Sequence, residues 1–450
     1  MNLYKNTIIF LTFILFYSNC SATIDIPEAD LKLDRAIRIE VKNVDELHAL
    51  RPSPGDTVYL VDNQWENSQI TLKGSGTADQ PIVFRVADPK NTHFSEKSNL
   101  TIDGKWIIAD GFVFKDGFST GKDVITFSKK SSHCTLVNSA ILHYNPNNKD
   151  IDYKWVSLYG THNTVANCEF TGKNHSGTTL VVWLAENPNH HIITRNYFGH
   201  RPELGTNGGE TIRIGTSHWS MHTSSTLVTN NIFDNCDGEI EIISVKSCHN
   251  IIENNLFYEC SGTLTLRHGN DNIIRNNFFI GNEKVNSGGI RVIGERHLVE
   301  GNYLHKLKGK SLRAALSIMN AVESPELNEY FQVQDAQIKN NIVIGCTEGI
   351  VIGAGANTTR TVVPQNITIH DNIFQDVSTV IKYEAKPIGI SINNNQTNTS
   401  ISENGFLKLN DLLKVNEYGI YTNMPVFWLD KSNKIGPEWI NLNQTKLVGK

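Results

Sequence analysis

The chain has 450 residues, of which 39% are hydrophobic and 19% are charged, and its formal net charge at pH 7 is −5. A slightly acidic chain with few charged residues has no broad basic surface, which excludes binding to nucleic acid or to an anionic membrane through bulk charge. The hydrophobic fraction is sufficient for a sizeable core, and length alone suggests two or three domains.

The first 22 residues have the layout of a secretory signal peptide. Lys5 precedes a single apolar run that is too short to span a bilayer. Cleavage after Ala22 is expected, and lipidation of Cys20 is the alternative. No second apolar run follows, so we predict an exported protein that is periplasmic, secreted or tethered to the outer membrane by lipid, without a membrane span.

Residues 52–91 combine polar turns with short apolar runs, which is typical of irregular first rungs and an N-terminal cap. A repeat follows, in which two or three apolar or β-branched residues precede a polar residue, an asparagine and an apolar pair: HNTVANCEF, HHIITRNYF, STLVTNNIF, HNIIENNLF, DNIIRNNFF, RHLVEGNYL, AQIKNNIVI and NITIHDNIF. The repeat length varies from 22 to 39 residues, as expected of a solenoid whose rungs accept loops. We predict a turn in which these asparagines stack: Asn167, Asn196, Asn231, Asn255, Asn277, Asn302, Asn341, Asn372 and Asn394.

Second strands lie between these segments: TLVVWL, ETIRIG, GEIEII, TLTLRH, GGIRVI and EGIVIG. Rungs of at least two strands, stacked about 4.8 Å apart, bury one continuous apolar interior. We therefore predict an all-β, single-domain, right-handed parallel β-helix over residues 23–395, including its N-terminal cap, with residues 396–450 as a C-terminal cap over the last rung. Its six cysteines should be free and buried, because three of them occupy equivalent repeat positions.

Charged residues mark the outer face of several second strands. In GEIEII, strict alternation places Glu239 and Glu241 outside and turns Ile240 and Ile242 toward the core. When rungs are stacked by repeat length, one arginine precedes the glutamates and one follows on each of the next two rungs: Arg213, Arg267 and Arg291. Three more side chains enter from adjacent turns: Asn207, Glu210 and Lys246.

Three carboxylates and one amide oxygen from adjacent rungs form a set of hard oxygen ligands suited to Ca²⁺. Without a cation these carboxylates would repel one another, whereas a bound cation offsets their charge. Plain solvation is the alternative for the glutamates taken alone, because exposed carboxylates are the norm. Their convergence favours a calcium site made by Asn207, Glu210, Glu239 and Glu241.

A cation beside a lysine and an arginine suits the β-elimination of a uronic acid. Removal of the C5 proton adds negative charge to the C6 carboxylate, which a bound cation can offset. A base must take this proton, for which Lys246 is the candidate, and the glycosidic oxygen on C4 must be protonated. Arg267 either donates that proton or stabilises the leaving oxygen while water donates it, because a guanidinium hardly gives up a proton.

Three motifs in order, NGGETIRIG, GEIEIISVKSCHN and TLTLRHGN, together with the earlier PGDTVYL and GSGTADQPI, resemble polysaccharide lyase family 6. That family contains alginate lyases and chondroitinase B, and the resemblance covers most of the mature chain. It implies Lys246 as base, Arg267 as acid and the same calcium ligands. It also implies substrate binding by His268 and Arg291, with Arg213 as a further candidate that could instead brace the glutamates.

Other readings predict different features. Resemblance to a pectin-type hydrolase would call for Asp-Asp and Gly-His-Gly motifs, and resemblance to a mannuronan C5-epimerase would call for Asp-Pro-His-Asp. None of these motifs occurs in the sequence. A non-catalytic glycan-binding β-helix would need cations in its groove but no base next to a metal. The predicted partner is an anionic uronate polysaccharide, alginate in preference to dermatan sulfate, because sulfate groups would need further arginines or lysines.

Overall fold

The computed structural model describes residues 38–421, 426–430, 432–440, 442 and 446–448. The predicted signal peptide and Cys20 lie outside the described residues, so export stays a prediction. None of the helices in the described residues is long and apolar enough to cross a membrane.

The described residues form forty short strands, one α-helix and three 3₁₀-helices. The α-helix is α1 (Val44–Ala49), and the 3₁₀-helices are Ser217–Trp219, Ser311–Arg313 and Phe427–Leu429. The strands are β1 (Arg38–Val41), β2 (Thr57–Leu60), β3 (Gln64–Glu66), β4 (Gln69–Ser75), β5 (Ile82–Val86), β6 (His93–Glu96), β7 (Asn99–Lys105), β8 (Ile107–Asp110), β9 (Val113–Gly117), β10 (Ile125–Phe127), β11 (Thr135–Val137), β12 (Ala140–Leu142), β13 (Val156–Leu158), β14 (Thr164–Ala166), β15 (Glu169–Thr171), β16 (Leu180–Val182), β17 (Ile192–Thr194), β18 (Tyr197–Phe198), β19 (Ile212–Gly215), β20 (Leu227–Thr229), β21 (Ile232–Asp234), β22 (Glu241–Lys246), β23 (Ile251–Glu253), β24 (Leu256–Tyr258), β25 (Thr263–His268), β26 (Ile273–Arg275), β27 (Phe278–Ile280), β28 (Ile290–Val292), β29 (Leu298–Glu300), β30 (Tyr303–His305), β31 (Leu316–Met319), β32 (Gln337–Lys339), β33 (Ile342–Ile344), β34 (Glu348–Ala354), β35 (Thr368–His370), β36 (Ile373–Gln375), β37 (Thr379–Tyr383), β38 (Ser391–Asn393), β39 (Asn395–Thr397) and β40 (Phe406–Lys408).

These strands stack into three long parallel sheets. Sheet 1 runs β1-β2-β5-β8-β11-β14-β17-β20-β23-β26-β29-β32-β35-β38, and sheet 2 runs β4-β7-β10-β13-β16-β19-β22-β25-β28-β31-β34-β37. Sheet 3 runs β3-β6-β9-β12-β15-β18-β21-β24-β27-β30-β33-β36-β39-β40. Each turn of the chain therefore contributes one strand to each sheet, which confirms the predicted parallel β-helix. The sequence predicted at least two strands in each rung, and the structure has three.

From β8 to β35, a two-residue turn joins each strand of sheet 1 to the next strand of sheet 3. Its first residue has a left-handed backbone, as at Asn254 with φ +53°, and its second, such as Asn255, is buried. The side chain of Asn255 donates to the backbone oxygens of Val228 and Glu253, and its own oxygen accepts from the backbone N–H of Asn231 one rung before. Asparagine suits both positions because its short amide tolerates the left-handed region and bonds the backbone. The stacked asparagines are thus confirmed as structural.

Two of the predicted stacking asparagines are wrong by one residue. Asn167 and Asn394 have φ +50° and +52° and occupy the left-handed position. The buried positions that follow them hold Cys168 and Asn395. Since either position of the turn accepts asparagine, the sequence pattern does not distinguish the two.

The interior of the β-helix is a stack of apolar side chains. Five phenylalanines of sheet 3 lie ring over ring at centroid distances of 5.4, 5.0, 4.7 and 4.5 Å: Phe170, Phe198, Phe233, Phe257 and Phe279. All six described cysteines are free and buried, as predicted. The backbone N–H of Cys236 donates to Sγ of Cys260 on the next rung at 3.4 Å, so equivalent thiols do stack.

Both ends of the β-helix carry additional chain. Leu47 of α1 is buried against the core at the N-terminal end. At the other end Ile401 and Phe406 pack against the core, which is the place predicted for residues 396–450. The chain beyond them instead runs back over the outer face of sheet 3, where Trp428 is buried and the indole N–H of Trp439 donates to the backbone oxygen of Asn138. This outer face is apolar, so it requires a cover.

Candidate active site

The predicted catalytic strands are neighbours in sheet 2. Strand pairing sets one outer row of Arg213, Ser244, Thr265 and Arg291 across β19, β22, β25 and β28. In the row beside it, Lys246 pairs with Gly215 on one side and with His268 on the other. The alternating apolar residues of these strands are buried in the core. Five of the predicted site residues therefore lie on or beside four adjacent strands: Arg213, Lys246, Arg267, His268 and Arg291.

The two glutamates of the motif do not follow the predicted alternation. β22 begins at Glu241, whereas Glu239 and Ile240 lie in the bend before it. A bulge between Glu241 and Ile243 leaves Ile242 and Ile243 both buried. A bulge inserts one extra residue into a strand and re-aims its side chains. For this reason Arg213 pairs with Ser244 rather than with a glutamate. The predicted stacking of the glutamates next to Arg213 on the outer face is therefore wrong by this shift.

The carboxylates of Glu210, Glu239 and Glu241 nevertheless converge. Glu210 and Glu241 are only 2% and 7% exposed, and Oε2 of Glu210 is buried without a hydrogen-bond partner. Oε2 of Glu239 accepts from the backbone N–H of Gly208 at 3.3 Å. Burial, and then the charges of Glu210 and Glu241, raise the pKa of Glu239 to about 7. Burial and the neighbouring carboxylates therefore both disfavour the charged form of Glu239 in this cluster.

Arg201, which the sequence analysis missed, fixes the loop that carries Glu210. Its guanidinium is buried and donates to the backbone oxygens of Gly177, Gly208 and Glu210 at 2.9, 3.1 and 2.8 Å. Burial lowers the pKa of Arg201 to about 10. Five donors in a rigid fork suit an arginine to this backbone site. No sequence motif indicates such a role, because apart from the hydroxyl of Thr179 its partners are backbone oxygens.

The fourth predicted calcium ligand, Asn207, is exposed in a bend of the same loop. Glu241 contacts protein groups on both oxygens: Oε1 accepts from Nη2 of Arg291, and Oε2 from the hydroxyl of Ser244. Within the described ranges of the chain, no three His, Cys, Asp or Glu side chains are arranged to hold a metal ion by themselves. The unpartnered oxygen of Glu210 and the raised pKa of Glu239 are the features that fit a cation, with Arg291 offsetting the charge of Glu241 in this arrangement.

Lys246 and Arg267 flank the carboxylates. Nζ of Lys246 lies 3.9 Å from Oε1 of Glu210, and Nε of Arg267 lies 3.8 Å from Oε1 of Glu241. Arg267 is the extra residue of a second irregularity, since Val245 and Lys246 pair with the residues on either side of it. Both cationic side chains are about one-sixth exposed, at 17% and 16%, so they reach solvent while remaining packed. We call the outer surface of sheet 2 around these side chains the groove.

The candidate acid Arg267 is held by a loop that interrupts the repeat after β31. Its two terminal nitrogens donate to the backbone oxygens of Asn328 and Glu329 at 3.0 and 3.1 Å. Its guanidinium lies 4.2 Å from the ring centroid of Tyr330, which Arg360 also approaches, at 5.0 Å. Burial is the largest influence on Arg267 and lowers its pKa. The long gap between Asn302 and Asn341 located this loop in the sequence, but nothing marked Tyr330 or Arg360.

His268 is 1% exposed, and its Nε2 lies 3.3 Å from the hydroxyl of Ser217. Burial, followed by the charges of Arg267 and Lys246, lowers its pKa to about 3. The imidazole is therefore neutral at physiological pH and can exchange hydrogen bonds without adding charge. His268 and Arg291 are more deeply buried than the sequence suggested for substrate-binding residues.

Comparisons with known proteins bear on the family. A family model described as Chondroitinase B matches residues 41–433. No curated protein sequence matches the chain. Among solved structures, the PL6 family alginate lyase AlyGC is 36% identical with a TM-score of 0.82, over 92% of this chain and 58% of that one. The present chain thus spans somewhat more than half the length of AlyGC.

Two further solved structures are similar along nearly their whole length. A mannuronic acid specific polysaccharide family 6 lyase from human gut microbiota is 29% identical with a TM-score of 0.76, over 90% of this chain and 96% of that one. A PL6 family polysaccharide lyase from Pseudopedobacter saltans is 26% identical with a TM-score of 0.73, over 90% of this chain and 100% of that one. From the family model, the identity to AlyGC and the shared parallel β-helix, this chain belongs to polysaccharide lyase family 6, the chondroitinase B family.

Proposed function

We propose that the protein is a calcium-dependent lyase that cleaves alginate by β-elimination. The observation that carries the proposal is the position of one amine, Nζ of Lys246, 3.9 Å from a carboxylate of a three-glutamate cluster. Arg267 lies on the next strand of the same groove. A glycan-binding protein needs cations in its groove, but it does not need an amine beside buried, poorly satisfied carboxylates.

The chemistry follows from these groups. The amine of Lys246 takes the proton from C5 of the uronate, and the electron pair of that C–H bond forms the C4–C5 double bond. The C4–O bond breaks, and its electron pair leaves on the glycosidic oxygen. That oxygen acquires a proton from Arg267, or from water while Arg267 stabilises its charge. The products are a uronate with a C4–C5 double bond and a free hydroxyl on the other fragment, and no water is added across the cleaved bond.

Calcium is proposed from the ligand chemistry. Glu210, Glu239 and Glu241, with Asn207, supply the oxygen ligands that Ca²⁺ prefers. The buried free oxygen of Glu210 supports this assignment, as does the raised pKa of Glu239, which is caused by burial and then by the charges of Glu210 and Glu241. When bound, the cation would offset the negative charge that develops on the substrate carboxylate. Binding would require the Glu241 carboxylate to exchange Arg291 for the cation.

The reaction type is tested by its product. β-Elimination leaves a 4,5-unsaturated uronate, whose conjugated double bond absorbs in the ultraviolet. We expect this absorbance to rise in step with new reducing ends when the protein is incubated with alginate. Reducing ends that appear without the absorbance would identify a hydrolase instead.

Calcium removal should stop the reaction. We expect exhaustive chelation to abolish turnover and added Ca²⁺ to restore it, because the three carboxylates repel one another without a cation. Calorimetric titration should detect Ca²⁺ binding to the protein and its loss in Glu239→Gln. A matched control is Glu253→Gln, whose carboxylate pairs with Arg275 on sheet 1. Full activity of the chelated protein would contradict the calcium assignment.

The substrate has one rival, dermatan sulfate, which the name of the matching family model favours. Alginate is supported by the identity to AlyGC and to the mannuronic acid specific lyase. Of the three arginines in the groove, Arg267 and Arg291 already contact Glu241, so few cations remain for sulfate. Initial rates at fixed calcium on mannuronate-rich, guluronate-rich and mixed alginate and on dermatan sulfate decide the question. A faster rate on dermatan sulfate than on any alginate would contradict the assignment of alginate as the substrate, but it would not contradict the β-elimination mechanism.

A further inference from the structure

An aromatic pair extends the row of Lys246 toward the N-terminal end of sheet 2. Val182 pairs with Ile214, so Trp183 after β16 comes level with Gly215, the partner of Lys246. Tyr159 follows β13 in the same way, one rung earlier. Trp183 is therefore two rungs, roughly 10 Å at the spacing of parallel strands, from the proposed base. That separation places it beyond the sugar whose proton is removed.

The aromatic pair has a fixed orientation on the outer face of the sheet. The rings of Tyr159 and Trp183 are 5.6 Å apart and nearly parallel, at 9°. The indole N–H of Trp183 donates to the hydroxyl of Ser157 at 3.0 Å, and this buried hydroxyl donates to Asp123 at 2.5 Å. Both rings are only half-buried. Two partly buried hydrogen bonds thus hold an amphipathic surface that still faces the groove.

Two cations lie against the same indole. The guanidinium carbon of Arg213 is 5.3 Å from its ring centroid, and Nζ of Lys154 is 6.0 Å from it. Lys154 pairs with the exposed Asp152, whereas Arg213 forms no ion pair within the described residues. Between Trp183 and Lys246 the row holds only Gly215, with φ +92°, where an added Cβ would approach the backbone oxygen of Lys246 to 2.4 Å. Among the described residues of this row, no side chain stands between the aromatic pair and the amine.

We propose that Tyr159, Trp183, Arg213 and Lys154 form a distal subsite that binds a uronate unit away from the cleaved bond. The aromatic pair would contact the apolar C–H groups of the pyranose, and Arg213 and Lys154 would bind its carboxylate. This inference rests on the proposed function, because it takes the polymer to be a polyuronate. It assigns Arg213 to the substrate rather than to bracing the glutamates, with which it is not paired.

The subsite is tested by chain-length dependence. Defined alginate oligosaccharides, from the shortest that is cleaved to the hexamer, are assayed with the wild type, Trp183→Ala and Arg213→Gln. We expect KM for the hexamer to rise about tenfold or more in each variant, the scale of a well-placed interface anchor. For Trp183→Ala, the kcat and the KM for the shortest oligosaccharide should stay within about twofold, because that substrate does not reach an indole two rungs from the proposed base. The matched control is Trp106→Ala, whose indole stacks on His133 in a turn of another row.

Binding gives a second measurement that does not need turnover. In Lys246→Ala, hexamer binding should change tryptophan fluorescence, and Lys246→Ala/Trp183→Phe should lose that change. Equal effects of Trp183→Ala on short and long substrates, with a lowered melting temperature, would show a structural role and overturn the subsite. An unchanged KM for the hexamer would overturn it as well. If the wild type cleaved no polyuronate, the proposed function would fail, and hexamer binding would still report on the subsite.

Discussion

Lys246→Ala should lose about a thousandfold or more in kcat on alginate while binding the polymer almost as well as the wild type. General base catalysis contributes about 10²- to 10⁴-fold, and this loss appears in kcat because the proton moves only in the transition state. Lys246→Arg should be equally slow, because a guanidinium keeps the positive charge near Glu210 but does not accept a proton. Initial rates from the ultraviolet absorbance of the product, with KM from the same curves, measure both.

The control for this loss is a lysine outside the groove. Lys339→Ala removes a similar charge from sheet 1, where Nζ lies 3.4 Å from Glu300, and should leave the rate unchanged. If Lys246→Arg kept a tenth or more of the wild-type kcat, the charge and not the basicity of Lys246 would be what matters. The base would then have to be sought elsewhere in the groove, and the proposed assignment of Lys246 would be wrong.

The fold was predictable because its repeat constrains every rung in the same way. From β17 to β35, asparagine followed by an apolar pair recurs at each turn from sheet 1 into sheet 3, and only a stacked solenoid gives such a residue the same partners each time. Asn167 and Asn394 were misplaced for a local reason, since two consecutive turn positions accept asparagine. The C-terminal segment was harder still. It covers the outer face of sheet 3, and no periodic pattern in residues 410–448 states which surface it contacts.

The candidate site was predictable as a set of residues and less so as a geometry. Motif order placed Lys246 in the turn after one second strand and Arg267 on the next second strand. The structure instead ends β22 at Lys246, and β22 is paired with the strand of Arg267. Period-two alternation then failed between Glu241 and Ile243, because a bulge is a single extra residue that leaves no compositional trace. Arg201 and Tyr330 were missed because their contacts are with backbone oxygens and with cations that are distant in sequence. Such partners become visible only when rungs and loops are placed in space.

Acid should destabilise the folded protein strongly below about pH 6.5, because several buried histidines are held neutral. Each is nearly inaccessible to solvent, at 2% exposure or less. Burial lowers each pKa from 6.5 to about 2, 3, 3, 4 and 4 in His175, His191, His268, His297 and His305. Burial also lowers the pKa of Lys173, which contacts His175, well below its ordinary value. In the unfolded chain the same groups titrate near their ordinary values.

The direction of the effect follows from proton binding. Between about pH 6.5 and pH 4 the unfolded chain binds protons that the folded state does not, so the free energy of unfolding falls as pH falls. Each histidine contributes roughly 1.4 kcal/mol at one pH unit below its unfolded pKa, and five together exceed about 5 kcal/mol. That is comparable with the whole stability of many domains, about 5–15 kcal/mol. The raised pKa values of Glu239 and Glu169 act in the opposite direction but concern only two groups.

We therefore expect the urea midpoint of unfolding, followed by circular dichroism, to fall steeply between about pH 7 and about pH 5. His297→Gln should lower the slope by about one proton, because one neutral buried imidazole no longer distinguishes the folded from the unfolded chain. His249→Gln, at an exposed position, should leave the slope as it is. A midpoint that stayed constant or rose toward pH 5 would mean that these imidazoles are charged inside the fold. That outcome would also contradict the neutral imidazole that we assign to His268.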